Sequence, residues 1–302
     1  NLEVTKSFLH VSDEEGALLQ SWRSPIILLR NRKDGKQLAH GVSVGFPTTG
    51  AMLPYMPFHH LLFEKLDQDV IVLTSGNISD EPIIIHNGEA REVLGPISDA
   101  IITYNRGIHN RTDDSVAFVE NGQTRMIRRS RGFVPNPVNL KVNAERILAT
   151  GAELVNTFCI GKGQQAILSQ HIGDLKNLET LEFFEESIGR FLHLFRSKPT
   201  LVVHDLHPDY LSTKYAKEFA ARHGVPSMRV QHHHAHIASA MAEHGLDEHV
   251  IGISMDGTGY GVDGKIWGGE ILHCDLAAYH REHHFEYVRM PGGDAATKQA
   301  WR

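Results

Sequence analysis

The chain has 302 residues, 41% hydrophobic and 22% charged, which is enough for two cores, since one core of this size would be unusual. A formal net charge of -6 argues against a general nucleic-acid binder. No apolar run approaches the roughly 18 residues of a membrane span, and two cysteines outside any CxxC pair, Cys159 and Cys274, suggest neither a disulfide framework nor a cysteine zinc site, which fits a reducing, cytoplasmic setting.

The start, Asn1-Leu2-Glu3, has no methionine and none of the basic and apolar regions of a signal peptide. The end, Ala300-Trp301-Arg302, carries no helix stop. The expectation is an internal piece of a longer protein. Residues 1–22 read as a surface segment with a short helix, and Pro25 to Arg30 as a compact strand. Gly50 to Phe63 begins as a proline-stiffened turn and continues as a helix, with His59 and His60 near its start as structural or substrate-orienting residues. Asp69 to Thr74 predicts a buried strand that runs into Ser75-Gly76-Asn77-Ile78-Ser79-Asp80-Glu81-Pro82. A strand end of this kind exposes N–H groups and hydroxyls to a phosphate or carboxylate, although an ordinary Asx-capped turn has the same look. Ala100 to Thr103 predicts another short strand, and Asn110 to Val119 a strand entered through charged residues. Arg125, Arg128, Arg129 and Arg131 then crowd seven positions ahead of Gly132-Phe133-Val134-Pro135, as a solvated charge run or as an anion site of arginine forks.

Pro135-Asn136-Pro137-Val138-Asn139 reads as an extended seam, with the domain boundary near 136–144. Arg146 to Ile160 predicts a strand, a tight turn at Gly151 and a second strand, and Ala166 to Ser169 continues the sheet. Leu178 to Phe195 is the strongest helix: Leu181, Phe184, Ile188, Phe191, Leu192 and Phe195 share one stripe, with Glu182, Glu185, Glu186 and Arg190 off it. Thr200 to Val203 is a buried strand that presents His204-Asp205-Leu206-His207, followed by a helix over Leu211 to His223 and a strand over Ser227 to Val230. Val250 to Met255 then feeds Asp256-Gly257-Thr258-Gly259, a phosphate hairpin or a plain β-turn.

Between these strands lies Gln231-His232-His233-His234-Ala235-His236, followed by small apolar residues. On a helix His232 and His236 share a face, close enough to bind one ion, while His233 and His234 cannot both join them. The candidate metal ligands are His232 and His236, with Asp256 from the next strand. No His-Glu-x-x-His is present, so a zincin is excluded.

In the first half, Thr74-Ser75-Gly76-Asn77, Asp114-Ser115-Val116 and Arg128-Arg129-Ser130-Arg131-Gly132-Phe133-Val134-Pro135 resemble the threonylcarbamoyl-AMP synthase (YrdC-like) fold. The early lysine- and arginine-rich motif of that fold has no counterpart before residue 40, so the domain is expected to be cut at its N-terminus. Across nearly the whole chain the motifs resemble the HypF carbamoyltransferases of [NiFe]-hydrogenase maturation. They are Glu153-Leu154-Val155-Asn156-Thr157-Phe158, Ser169-Gln170-His171-Ile172-Gly173-Asp174-Leu175, Asp205-Leu206-His207-Pro208-Asp209-Tyr210, Val230 to His236, Asp256 to Gly261 and Trp267-Gly268-Gly269-Glu270. Val155 departs from the family's usual lysine.

This resemblance implies an α/β protein: a truncated YrdC-like domain (1–138) and then an actin-like (ASKHA), ribonuclease-H-type lobe of a Kae-type domain (139–302). It implies that carbamoyl phosphate is cleaved, that the carbamate is adenylated with ATP, and that the carbamoyl group passes to the C-terminal cysteine of HypE, for the cyanide ligand of the hydrogenase iron. Ser75, Asn77, Ser115, Arg129 and Arg131 would hold the adenylate. Gly257, Thr258 and Gly259 would cradle phosphates. His232, His236 and Asp256 would act as catalytic metal ligands for zinc or iron, with magnesium accompanying ATP and a further acidic ligand beyond Arg302. No membrane or nucleic-acid partner is expected. The alternatives are another ASKHA-type metal-dependent ATPase, kinase or hydrolase, and a non-catalytic fragment that binds HypE.

Overall fold

A computed structural model describes residues 1–79, 81–293, 295, 296, 299 and 301; Asp80 of the polar stretch and Ala300 and Arg302 of the chain end lie outside them. The chain divides into two compact units, Asn1–Asn136 with Ser169–Gly173, and Pro137–Leu168 with Asp174–Arg302.

The first unit opens with helices α1 (Leu2–Phe8) and α2 (Asp13–Leu19). Ser12 caps α2 through a box in which its hydroxyl takes the Glu15 N–H and the Glu15 carboxylate takes the Ser12 N–H. Strands β1 (Ile26–Arg30) and β2 (Thr48–Ala51) pair antiparallel, and helices α3 (Pro57–Phe63) and α4 (Asn87–Val93) follow. Strands β3 (Val116–Glu120) and β4 (Gln123–Arg128) form a hairpin, and β3 pairs in parallel with β1. The hairpin turns through Asn121 and Gly122 at φ 52° and 73°, the left-handed pair of a tight two-residue connection, which the Asn-Gly dipeptide signals by itself. Leu9, Leu19, Ile27, Leu29 and Ala117 make the core.

Two expected strands do not form. Residues 69–74 and 100–103 have no strand structure, and Val72, Leu73 and Ile102 are 80%, 58% and 71% exposed. An apolar run becomes a strand only where a neighbour takes its N–H and C=O groups, and among the described residues the sheet of this unit ends at β2 and β4.

The second unit holds a sheet ordered β10-β9-β6-β7-β8-β5. Its strands are β5 (Val138–Asn139), β6 (Ile147–Ala149), β7 (Cys159–Lys162), β8 (Gln165–Leu168), β9 (Leu201–Asp205) and β10 (Ser227–Val230). Strands β6, β9 and β10 run parallel, whereas β7, β8 and β5 pair antiparallel, the order expected of a ribonuclease-H-type lobe. The turn at Gly151 (φ 71°) forms, but the next strand starts only at Cys159; the residues between make a loop held by Asn156, whose side-chain amide donates to Thr150 O and Ala152 O.

Helix α5 (Leu178–Leu194) is capped by Asn177 and buries Phe183, Phe184, Ser187, Ile188 and Phe191. The buried stripe is therefore rotated toward Phe183, and Leu181, Leu192 and Phe195 sit at its edge. Phe158 meets Phe184 and Phe191 edge to face, and Phe184 meets Tyr215 of helix α6 (Leu211–His223), each pair contributing about 0.5–1.5 kcal/mol beyond its burial.

Helix α7 (His232–Glu243) follows β10. Strand β11 (Val250–Tyr260) does not end at Asp256, as the hairpin reading requires. It continues through Asp256-Gly257-Thr258-Gly259 in a separate sheet with β12 (Ile266–Cys274) and β13 (Tyr279–His284), and the chain reverses only after Tyr260. The backbone of this run remains paired on both sides of a bulge, which a string of glycines conceals in the sequence.

Candidate metal centre

The centre lies where β9, the start of α7 and the bulge of β11 meet. Val230 stands beside Asp205 in the parallel pairing of β10 and β9, so α7 begins next to the carboxyl end of β9. Gln231 caps α7, its side-chain oxygen taking the His234 N–H at 2.9 Å. The helix packs closely on β11: a Cβ on Gly252 would lie 2.2 Å from Ile237 Cδ1, so only glycine permits this approach. In β11 the register jumps from Met255 opposite Gly269 to Gly259 opposite Trp267, leaving Asp256, Gly257 and Thr258 against Gly268 alone. That bulge turns the Asp256 carboxylate toward the first turn of α7.

His232 Nε2, His236 Nε2 and an Asp256 oxygen all lie within 4.8 Å of one another. The two Nε2 atoms are 3.1 Å apart, and Asp256 Oδ2 is 2.9 Å from His232 Nε2 and 3.7 Å from His236 Nε2. An ion with bonds of about 2.0–2.2 Å needs ligand atoms roughly 3–3.5 Å apart, and the three separations here, 2.9, 3.1 and 3.7 Å, bracket that spacing. Asp256 Oδ2 is also buried with no hydrogen-bond donor aligned on it. The donor set of two imidazoles and a carboxylate therefore fits a borderline divalent ion such as zinc or iron(II).

Asp205 stands behind the ligands. Its Oδ2 lies 2.7 Å from His232 Nδ1, while its Oδ1 takes the His207 N–H at 2.7 Å. This carboxylate–histidine pair fixes the ring so that Nε2 faces Asp256. The hydrogen bond that the His232 ring makes to Asp205, reinforced by the charge of Asp256, raises the His232 pKa against the pull of burial. Partial burial and the neighbouring His232 lower that of His236. Sequence reasoning placed Asp205 at a strand end but did not assign it a role; the strand-end aspartate is the signal that could have found it.

The other two histidines do not share the face of His232 and His236, although His233 Nε2 comes within 4.0 Å of Asp256 Oδ2. His233 is fully buried near Trp267, and burial holds its pKa down. His234 Nε2 lies 2.8 Å from Asp275 O. Gly259 answers to His233: an added Cβ would sit 2.4 Å from its Cε1. Gly257 and Thr258 are exposed beside Asp256, where a phosphate could approach. An aromatic wall also borders the centre, with His207 stacked on Tyr210 at 4.1 Å and edge-on to Tyr260 at 5.1 Å. Burial, then the charge of Asp205, pushes Tyr210 up to about 12, so its hydroxyl stays a neutral donor.

In the first unit the nucleotide-binding candidates fall into two networks. Ser75 donates to the Asn77 side chain at 2.5 Å, and Asn77 donates to Ile78 O and Glu81 O. Ser115 and Arg131 point inward. The Ser115 hydroxyl takes the Ser130 N–H and donates to Arg131 O. Arg131 Nε meets Asp114 Oδ1 at 2.7 Å, its Nη atoms donate to Arg23 O and Ser24 O, and its guanidinium lies 3.7 Å over the Tyr55 ring. The Arg131 fork, expected to grip an anion, is here spent on the chain itself. Arg129 donates to Asn136 O at 2.6 Å.

Comparison with known proteins agrees with this architecture. Residues 142–243 match the family described as HypF Kae1-like domain, and residues 252–302 match the second subdomain of the carbamoyltransferase Kae1-like domain. Residues 1–130 match a Sua5/YrdC-type family described as telomere recombination. The carbamoyltransferase HypF2 of Cupriavidus necator is 41% identical over 100% of this chain and 39% of its own length. The carbamoyltransferase HypF of Synechocystis is 42% identical over 95% of the chain and 37% of its own length. A crystal structure of full-length HypF in a phosphate- and nucleotide-bound form superposes with a TM-score of 0.92 and 49% identity, covering 98% of this chain and 38% of that one. The chain thus spans about two fifths of the length of the relatives it matches.

Proposed function

Because the chain belongs to the HypF family, we propose that it forms part of an ATP-dependent carbamoyltransferase of [NiFe]-hydrogenase maturation. In this reading water cleaves carbamoyl phosphate to carbamate and inorganic phosphate. A carbamate oxygen attacks the α-phosphorus of ATP, pyrophosphate leaves, and a carbamoyl-adenylate forms. The C-terminal cysteine thiolate of HypE then attacks the carbamoyl carbon, AMP leaves, and a thiocarbamate remains.

The observation that carries this reading is the convergence of His232, His236 and Asp256 with Asp205 behind them. A bound divalent ion would supply positive charge to phosphoryl or acyl oxygens at this place. The chain's own part is to hold the donors in line: Asp205 orients His232, the bulge of β11 presents Asp256, and exposed Gly257 and Thr258 leave backbone room for a phosphate. The neutral Tyr210 hydroxyl and the His207 ring border the same space. In the first unit, Ser75, Asn77 and Arg129 are the proposed adenylate contacts, with Ser115 and Arg131 shaping the backbone between them.

The test is made on the full-length protein. Carbamoyl-phosphate-dependent exchange of labelled pyrophosphate into ATP is expected, followed by carbamoylation of HypE. Replacement of His232 and His236 by alanine is expected to abolish transfer. Exchange that is no greater with carbamoyl phosphate than without it overturns the proposal.

A further inference from the structure

A second group of imidazoles lies on the far side of the β11–β13 sheet. Side chains alternate along each strand, so Leu272 and Cys274 pack with Ile237 and Met241 of α7 while His273 points the opposite way. His273 stands directly opposite His280 of β13, and Glu282, left unpaired where the register shifts between Leu272 and Ile271, turns its carboxylate toward both rings. His280 Nδ1 lies 3.1 Å and His273 Nδ1 4.0 Å from the same oxygen, Glu282 Oε1. From just before β11, His249 brings its ring centroid to 5.4 Å from that of His273, and its Nε2 lies 3.8 Å from Asp275 Oδ2. Strands β12 and β13 thus bring two imidazoles and a carboxylate side by side, and His249, just before β11, lies against His273.

We propose that His273, His280 and Glu282, with His249 as a fourth donor, form a surface site for a borderline divalent transition-metal ion such as Zn2+ or Ni2+. Imidazole and carboxylate are the ligands such ions take, at about 2.0–2.2 Å, which sets ligand atoms roughly 3–3.5 Å apart. The His280–Glu282 separation already meets this spacing. The His273–Glu282 separation of 4.0 Å exceeds it, and the three donors do not all lie within 4.8 Å of one another as His232, His236 and Asp256 do, so an ion would draw in side chains that are 49% and 41% exposed. Directly opposed residues of an antiparallel pair have Cβ atoms about 4.5–5.5 Å apart, which lets two imidazoles reach one ion from adjacent strands. The site is separate from His232, His236 and Asp256, because α7 packs on the other face of the sheet. The bound ion would clip the edge strand β13 to β12, with β11 joined through His249.

The experiment is equilibrium dialysis of the full-length protein against Zn2+, repeated with Ni2+, for wild type, for the double variant H273A/H280A and for H232A/H236A. Each double variant is expected to bind one equivalent fewer than wild type, and the two losses to add in the quadruple variant. Glu282→Gln is expected to raise the dissociation constant of the surface equivalent about tenfold or more. Far-ultraviolet circular dichroism checks the fold, and the H273N/H280N variant, which keeps polar side chains at the same exposed positions, serves in place of alanine if the first variant is unfolded. Wild-type stoichiometry and affinity in a folded H273A/H280A or H273N/H280N protein overturns the proposal, and leaves the reading of the buried centre unaffected.

Discussion

Asp114, just ahead of β3 in the first unit, and Asp256, in the bulge of β11 in the second, both face cationic or potentially cationic side chains, yet their surroundings differ. The Asp114 side chain bonds Arg131 at 2.7 Å, its carbonyl takes Arg128 Nε at 2.9 Å, and the rest of the Arg131 fork is taken up by Arg23 O and Ser24 O. Three imidazole nitrogens approach Asp256 Oδ2 at 2.9, 3.7 and 4.0 Å, and none is aligned to donate to it. A buried charge whose partners are complete holds the fold together, whereas one ringed by lone-pair donors that leave it unbonded is arranged around something else. The charged run around Arg131 and the histidine run around His232 look equally functional on paper, and only their bonding separates them.

The largest expected effect tests the structural half of that contrast. Arg131→Ala removes the partner of Asp114 and several backbone contacts at a site about three-quarters buried, and should cost about 3 kcal/mol in urea unfolding of the first unit. A cost no greater than that of an ordinary surface substitution would break the comparison. Metal content of the second unit should not change.

The second unit should also show alkaline lability. Burial, with the charge of Glu185 adding to it, pushes Tyr215 up to about 12, while an unfolded tyrosine ionises near 10. The folded pKa is the higher one, so its contribution is complete below about pH 10 and is lost as the pH rises from about 10 to 12. The full loss is about 2–3 kcal/mol. Denaturant midpoints in this window, followed with tyrosinate absorbance, measure it, and Tyr215→Phe should remove that part of the pH dependence.

Asp205→Asn sharpens the other half. The amide keeps the shape but lacks the charge that orients His232, and should weaken metal binding at the buried centre about 10–100-fold with little change in unfolding free energy. Dialysis against Zn2+ reads the first quantity and urea unfolding the second; a stability loss with unchanged affinity would make Asp205 a structural residue like Asp114.

The smallest effect concerns Val155. It adopts φ 49°, a left-handed conformation costly for a β-branched residue, on an exposed loop where its N–H donates to Asp174 at 2.8 Å. Val155→Gly should stabilise the second unit by about 1 kcal/mol, the relief of strain exceeding the added freedom of the unfolded chain. A rise in the urea midpoint checks it.

Much of the second unit was legible in the residues. Helix α5 announced itself through its apolar stripe, α6 and β10 kept their expected bounds, and the HxxxH spacing put His232 and His236 on one helix face. These features depend on periods of a few residues, which local sequence carries. The Asn-Gly turn between β3 and β4 was equally local and went unread. By contrast, Val70 to Leu73 and Ile101-Ile102 have the composition of strands and are not strands, because pairing partners lie outside any local window.

The residues alone therefore settled which side chains belong to one helical face and which segments have a buried side. Tertiary structure decided what those side chains meet: that Arg131 turns inward, that β11 runs on through its glycines with a bulge, that Asp205 stands behind His232, and that His273 and His280 face each other across two strands. The reason is physical. Helical period and turn chemistry act over a few bonds, whereas a carboxylate meets its imidazole only after segments tens of residues apart have packed.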